Sequence, residues 1–174
     1  MPDERVVIFV DGSNFYHALK GNFGITKIDF YAFSRMLCGE RKLIRTYYYN
    51  VPIQKQLDEE KYKRQQRFFE KLRVTPYLTL KLGRLEQRPD GKLVEKGIDI
   101  KIAVDMLRLA YTNSYDTGIL VSGDSDYVDA IEGVKELGKH VENAYPTPGE
   151  SYHLRQACDR FIPINREMIE SISL

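Results

Sequence analysis

The stretch "ILVSGDSDYVDAI" (119–131) begins as a buried strand and ends as a helix, with Ser122, Asp124 and Asp126 at the junction and Asp129 beyond it. A second apolar run, "VVIFVDGSN", delivers Asp11 at its end and Asn14 in the following turn. A third segment, "KGIDIKIAVDMLRLA", adds Asp99 and Asp105. Carboxylates brought to one place repel one another, and partial burial worsens the repulsion. A divalent cation is the natural compensation. Hard oxygen donors without nearby His or Cys select Mg²⁺ or Mn²⁺ over zinc, and such sites suit phosphate substrates. Each acid alone has a plainer reading, since Asp, Ser and Asn before a helix are ordinary N-caps or turn formers. The case for a shared site rests on the conjunction of two strand ends and a helix start, none of which needs an acid to fold.

The elements that must position these residues follow from periodicity. Apolar runs of strand length alternate with helical patterning, which predicts an α/β fold with a mainly parallel sheet and crossover helices. Five strands are expected, at 5–11, 43–51, 75–83, 117–123 and 139–145, the first being near-continuously apolar and therefore central. Helices are expected at 13–20, 29–38, 54–73, 97–112 and 125–137, a short one near 150–157, and a final helical turn. Pro89-Asp90-Gly91 between two alternating arms predicts a small β-hairpin near 84–96. In such a sheet the ligand site lies beyond the carboxyl ends of the strands. If the strands at 5–11 and 117–123 are neighbours, Asp11, Asp124 and Asp126 converge. On the helix at 97–112, Ile102, Ala103, Met106 and Ala110 fall within roughly 60° of Asp99, whereas Asp105 lies about 120° away beside Lys101 and Arg108. The wheel therefore predicts Asp99 as the inward acid and Asp105 as a residue of the polar side.

Composition bounds the function. The chain has 174 residues, 43% hydrophobic and 29% charged, with 26 Lys plus Arg against 25 Asp plus Glu. A single domain over 1–174 is expected. The near-neutral balance excludes a polybasic nucleic-acid tail but not a local basic patch. Cys38 and Cys158 have no metal-ligand spacing and read as reduced thiols, and no signal or membrane-spanning run is evident, so a cytoplasmic location is expected. His17, His140 and His153 read as surface or capping residues. The basic run at 61–73 reads as a solvated helix face, and "TYYYN" (46–50) as strand packing rather than a base-stacking platform.

The segments "VIFVDGSNFY", "EKGIDIKIAVDML", "ILVSGDSDYVDAI" and "ESYHLRQACDRFIPI", in this order and spacing, resemble the NYN domain, a PIN-like nuclease family, and most closely its bacterial LabA-like branch. The resemblance covers nearly the whole chain. It implies a three-layer α/β/α fold and Mg²⁺- or Mn²⁺-dependent cleavage of phosphodiester bonds, with RNA as the expected partner. Carried over by position, Asp11, Asp99, Asp124 and Asp126 form the catalytic and metal-binding set, with Asn14, Ser122 and Asp105 in support. Tyr127 stands where Phe is common in the family. Nucleic-acid contact is expected from Arg84, Arg88, Lys92 and Lys96 of the hairpin, and from Ser151 and Arg155 at a helix start. A non-catalytic RNA-binding or assembly module of the same fold is the alternative. A phosphatase of the haloacid dehalogenase type is disfavoured because Ser13 stands where its second acid belongs, and no GxGxxG or GxxxxGK[ST] loop supports a nucleotide-binding fold.

Overall fold

The strand Arg5–Asp11 (β1) is covered on both faces, and its alternating side chains divide between two apolar layers. Val6, Ile8 and Val10 face one layer, and Val7 and Phe9 the other. The computed structural model describes residues 2–174, with only the backbone at Glu95. After β1 the chain forms α1 (Gly12–Phe23), α2 (Phe30–Cys38), β2 (Lys42–Asn50), α3 (Glu59–Arg73) and β3 (Leu78–Leu82). A hairpin of β4 (Arg84–Gln87) and β5 (Leu93–Lys96) precedes α4 (Ile98–Tyr111) and β6 (Thr117–Val121). The chain closes with α5 (Val128–Glu136), β7 (His140–Tyr145), α6 (Tyr152–Ala157), β8 (Arg160–Pro163) and α7 (Arg166–Ser171).

The six-stranded sheet has the order β3-β2-β1-β6-β7-β8, every pairing parallel. β1 pairs with β6 over Val6↔Thr117 to Val10↔Val121, so Asp11 and Ser122 emerge side by side where the connections part to opposite directions. One layer packs Phe15, Leu19, Phe33, Phe69 and Ile169 on the sheet, and the other packs Ile102, Met106, Ile131, Val134 and Leu154. The architecture is thus three-layer α/β/α with a small antiparallel hairpin. One strand more than expected is present, β8, from "RFIPI". Pro163 cannot donate to an interior ladder, but at the last position of an edge strand it costs nothing. The expected helix at 54–73 starts later, at Glu59, where the Asp58 carboxylate caps Lys61 N.

The helical-wheel reading of α4 is corrected. Asp105 is 7% exposed and Asp99 is exposed. The buried face comprises Ile98, Ile102, Asp105, Met106, Leu109 and Ala110, so the stripe is centred near Ile102 with the two acids on its opposite margins. Asp99 stays exposed because it sits in the first turn, at the sheet's rim. Asp105 is buried because the strands supply partners: Tyr49 Oη and Lys81 Nζ each donate to Oδ2 at 2.7 Å, and Arg108 donates to Oδ1 at 3.1 Å. Burial alone would raise its pKa, but the bonds from Lys81, Tyr49 and Arg108 outweigh that and hold it below the ordinary value. The same burial, with the Asp105 bond, keeps the proton on Tyr49.

At the opposite end of the sheet, Arg5 clasps Asp116 through its backbone N–H at 2.8 Å, Nε at 3.1 Å and Nη2 at 2.9 Å, tying the start of β1 to the start of β6. These hydrogen bonds hold the Asp116 carboxyl down to about 2. Both cysteines are free, Cys38 buried and Cys158 half-buried. Among the described residues no helix is long and apolar enough to cross a membrane.

Lys81→Met leaves the buried Asp105 carboxylate with one of its two cations, Arg108, and is expected to lower unfolding stability by about 1–3 kcal/mol, measured by urea denaturation. Because Asp116 titrates lower in the folded chain than its ordinary value of about 3.9, its contribution is fully present above that pH and disappears as pH falls toward 2. Asp116→Asn should flatten this part of the acid limb of a stability–pH curve.

Candidate metal and nucleic-acid site

The carboxyl ends of β1 and β6 place their acids by local rules. Asp11 closes β1 and caps α1, its Oδ1 accepting from Asn14 N at 3.4 Å. Gly12 follows because a Cβ there would strike the Tyr49 carbonyl and the Tyr48 ring. After β6, Ser122 is fully buried and Asp124 caps the 3₁₀ turn Ser125–Tyr127, its Oδ1 accepting from Asp126 N at 2.9 Å. Gly123 is required in turn by the Tyr145 ring and the Gly149 carbonyl, which leave no space for a side chain.

Asp11 is only 7% exposed. Ser122 Oγ and Tyr127 Oη donate to Oδ2 at 3.3 and 3.0 Å. Asp124 N donates to Ser122 Oγ at 3.2 Å, so the hydroxyl links the two acidic positions. Asn14 is expected from the sequence to orient a ligand carboxylate or water. In the structure its Oδ1 accepts from Gly123 N at 3.0 Å, fixing the turn that carries Asp124. Burial first, then the negative charges of Asp11, Asp124 and Asp99, push the Tyr127 pKa far up, so the phenol keeps its proton and remains a donor. Tyr145, whose hydroxyl donates to the Asn14 carbonyl at 3.3 Å, is pushed up to about 12 by burial and the Asp11 charge.

A cleft of about 160 Å³ opens above this floor, lined by Asp11, Ile98, Asp99, Asp124 and Tyr127. Three separate elements therefore deliver Asp11, Asp99 and Asp124 to one space. Asp126 is exposed and outside that lining. Asp105 belongs to the charge cluster with Lys81 and Arg108. The donor chemistry fits a hard divalent cation, being carboxylate oxygen with no imidazole or thiol in the lining. As placed, no group of three or more His, Cys, Asp or Glu among the described residues stands as a metal-holding set. Asp99 Oδ1 accepts from Ile100 N at 3.0 Å, and Asp124 Oδ1 is engaged with Asp126 N. The site is an acid-lined cleft rather than a formed coordination shell.

The basic candidates separate into groups. Arg84 and Lys96 face each other across the base of the hairpin, while Arg88 and Lys92 are exposed toward its turn. Ser151 caps the short helix α6 through Leu154 N, and Arg155 pairs with Glu150 and lies over the Phe161 ring, so both are engaged locally. The three histidines are exposed. Sequence reasoning passed over the Tyr49–Lys81 pair and the Tyr127 hydroxyl. Tyr49 and Lys81 are register partners of each other, with Tyr49 also opposite Asp11. Only the strand order shows this.

The chain is 28% identical to the low amplitude and bright protein LabA of Synechococcus elongatus, over 95% of this chain and 88% of that protein. It is 32% identical to an uncharacterized protein of Methanocaldococcus jannaschii, over 48% of this chain and 35% of that one. Among solved structures, a protein of unknown function from Vibrio parahaemolyticus superposes with a TM-score of 0.79 at 23% identity, covering 99% of this chain and 97% of that one, a likeness of fold. The NYN domain profile matches residues 5–165, a span containing both acidic strand ends and the α4 acids. The chain belongs to the NYN domain family.

Proposed function

We propose that the protein is a metal-dependent ribonuclease that hydrolyses phosphodiester bonds at the cleft between Asp11, Asp99 and Asp124. The observation that carries the reading is the delivery of three carboxylates from three separate elements to one space at the β1/β6 switch. Membership of a family with a PIN-like nuclease fold supports it. Asp11, Asp99 and Asp124 would hold Mg²⁺ or Mn²⁺, with Asp126 contributing through water. The bound ion supplies a water of lowered pKa and offsets charge on the phosphoryl oxygens. Asp99 and Asp124 would give up backbone N–H bonds to bind it, a small exchange for side chains that are not deeply buried. Ser122, Tyr127 and Asn14 keep Asp11 and the 122–124 turn in register.

One observation favours a second reading, a non-catalytic RNA-binding module: the acids as placed do not form a closed metal set. The two readings differ in measurable ways. Purified protein with Mn²⁺ is expected to cut single-stranded RNA, chelator to stop it, and Asp124→Asn to abolish it with an unchanged circular dichroism spectrum. Retained cleavage in that variant or in excess chelator would eliminate the nuclease proposal, and Mg²⁺-dependent thermal stabilisation without cleavage would favour the module. Tyr127→Phe keeps the ring in the core but removes a donor from Asp11, and should weaken Mn²⁺ binding by about tenfold, read by the electron paramagnetic resonance of free Mn²⁺.

A further inference from the structure

The first turn of α4 separates two depressions. Ile98 and Asp99 line the acid cleft, whereas Gly97, Ile100 and Lys101 line a larger groove of about 500 Å³ whose other wall is Leu82, Arg84 and Lys96. The groove's charge is the opposite of its neighbour's. Arg84 and Lys96 share one carboxylate, Glu86, at 2.9 and 3.8 Å, and Lys101 makes no ion pair among the described residues, so cations outnumber carboxylates among the described side chains there. The groove also presents an apolar surface, because Ile100 is 66% exposed and Leu82 lies beside it. Solvent-exposed cations suit the phosphates of a strand, and an exposed aliphatic side chain beside them offers apolar contact to a base.

We propose that this groove is the track for a single-stranded polynucleotide entering the acid cleft, with Arg84, Lys96 and Lys101 on successive phosphates and Ile100 against a base. The inference deepens the nuclease reading and rests on it for direction, since adjacent residues of one helical turn face the two depressions. A polyanion approaching Asp11, Asp99 and Asp124 meets like charge, and cations one turn away offset that repulsion at the point of entry. The volume is that of a pocket for a nucleotide-sized ligand, a size that suits an unpaired strand. The hairpin thereby gains a role that its apolar content does not explain: holding Arg84 and Lys96 opposite the α4 turn.

Binding is measured by fluorescence anisotropy in excess chelator, with a short labelled single-stranded RNA, the DNA of the same sequence, and the corresponding duplex. Chelator separates this test from the metal reading, because the groove should bind whether or not the cleft cuts. The wild-type chain should bind a single strand in preference to the duplex. Combined Arg84→Glu and Lys101→Glu should weaken binding by about tenfold or more and make the salt dependence shallower by about 0.7 per lost phosphate contact. Arg67→Glu, on the exposed face of α3, should leave affinity unchanged. Ile100→Ala should weaken binding without changing the salt slope. No binding of either single strand, equal loss in the α3 variant, or wild-type affinity in the double variant would each overturn the groove. Preference for DNA over RNA would retain the groove and overturn the ribonuclease assignment instead.

Discussion

A carboxylate buried at the end of the central strand must be solvated by the protein, and the environment of Asp11 is organised around that requirement. Desolvating an ionised acid costs several kcal/mol unless donors replace the lost water. Its donors include two hydroxyls, from Ser122 and Tyr127, and the backbone N–H of Asn14. They come from β1's own cap and from the segment after β6, so satisfying one side chain fixes the relation of the two strands at their carboxyl ends. The Arg5–Asp116 clasp does the corresponding work at their amino ends.

Asp105 shows the contrasting solution. It is as buried as Asp11, but its partners include Lys81 and Arg108, which cancel its charge within the fold. An acid neutralised in this way anchors a helix to a sheet and has little field left to offer a ligand. The donors to Asp11 from Ser122, Tyr127 and Asn14 are neutral, and Asp11 shares its cleft with Asp99 and Asp124.

Charge is also segregated on either side of one helical turn. α4 begins at Ile98 after Gly97, which has no side chain to cap it, and its first residues divide between the acid cleft and the basic groove. The anchoring of α4 through Asp105 therefore bears on both depressions at once, because any shift of that helix moves Asp99, Ile100 and Lys101 together.

The sequence by itself determined the alternation of strands and helices, the hairpin at 84–96 and the acids at two strand ends, because each depends on short-range periodicity or turn chemistry. The apolar run "VVIFV" reads as a strand covered on both faces, and "PDG" as a turn. Which acid of α4 points inward was decided by tertiary structure. Two carboxylates sit on opposite margins of one apolar stripe, and only the arrival of Lys81 and Tyr49 from neighbouring strands makes burial of Asp105 affordable in electrostatic terms. The bond between Tyr127 and Asp11 spans 116 positions along the chain, and the pairing of Tyr49 with both Asp11 and Lys81 follows from strand order. Periodicity reports which side of an element is apolar; what a polar atom meets there depends on elements that are distant in the chain.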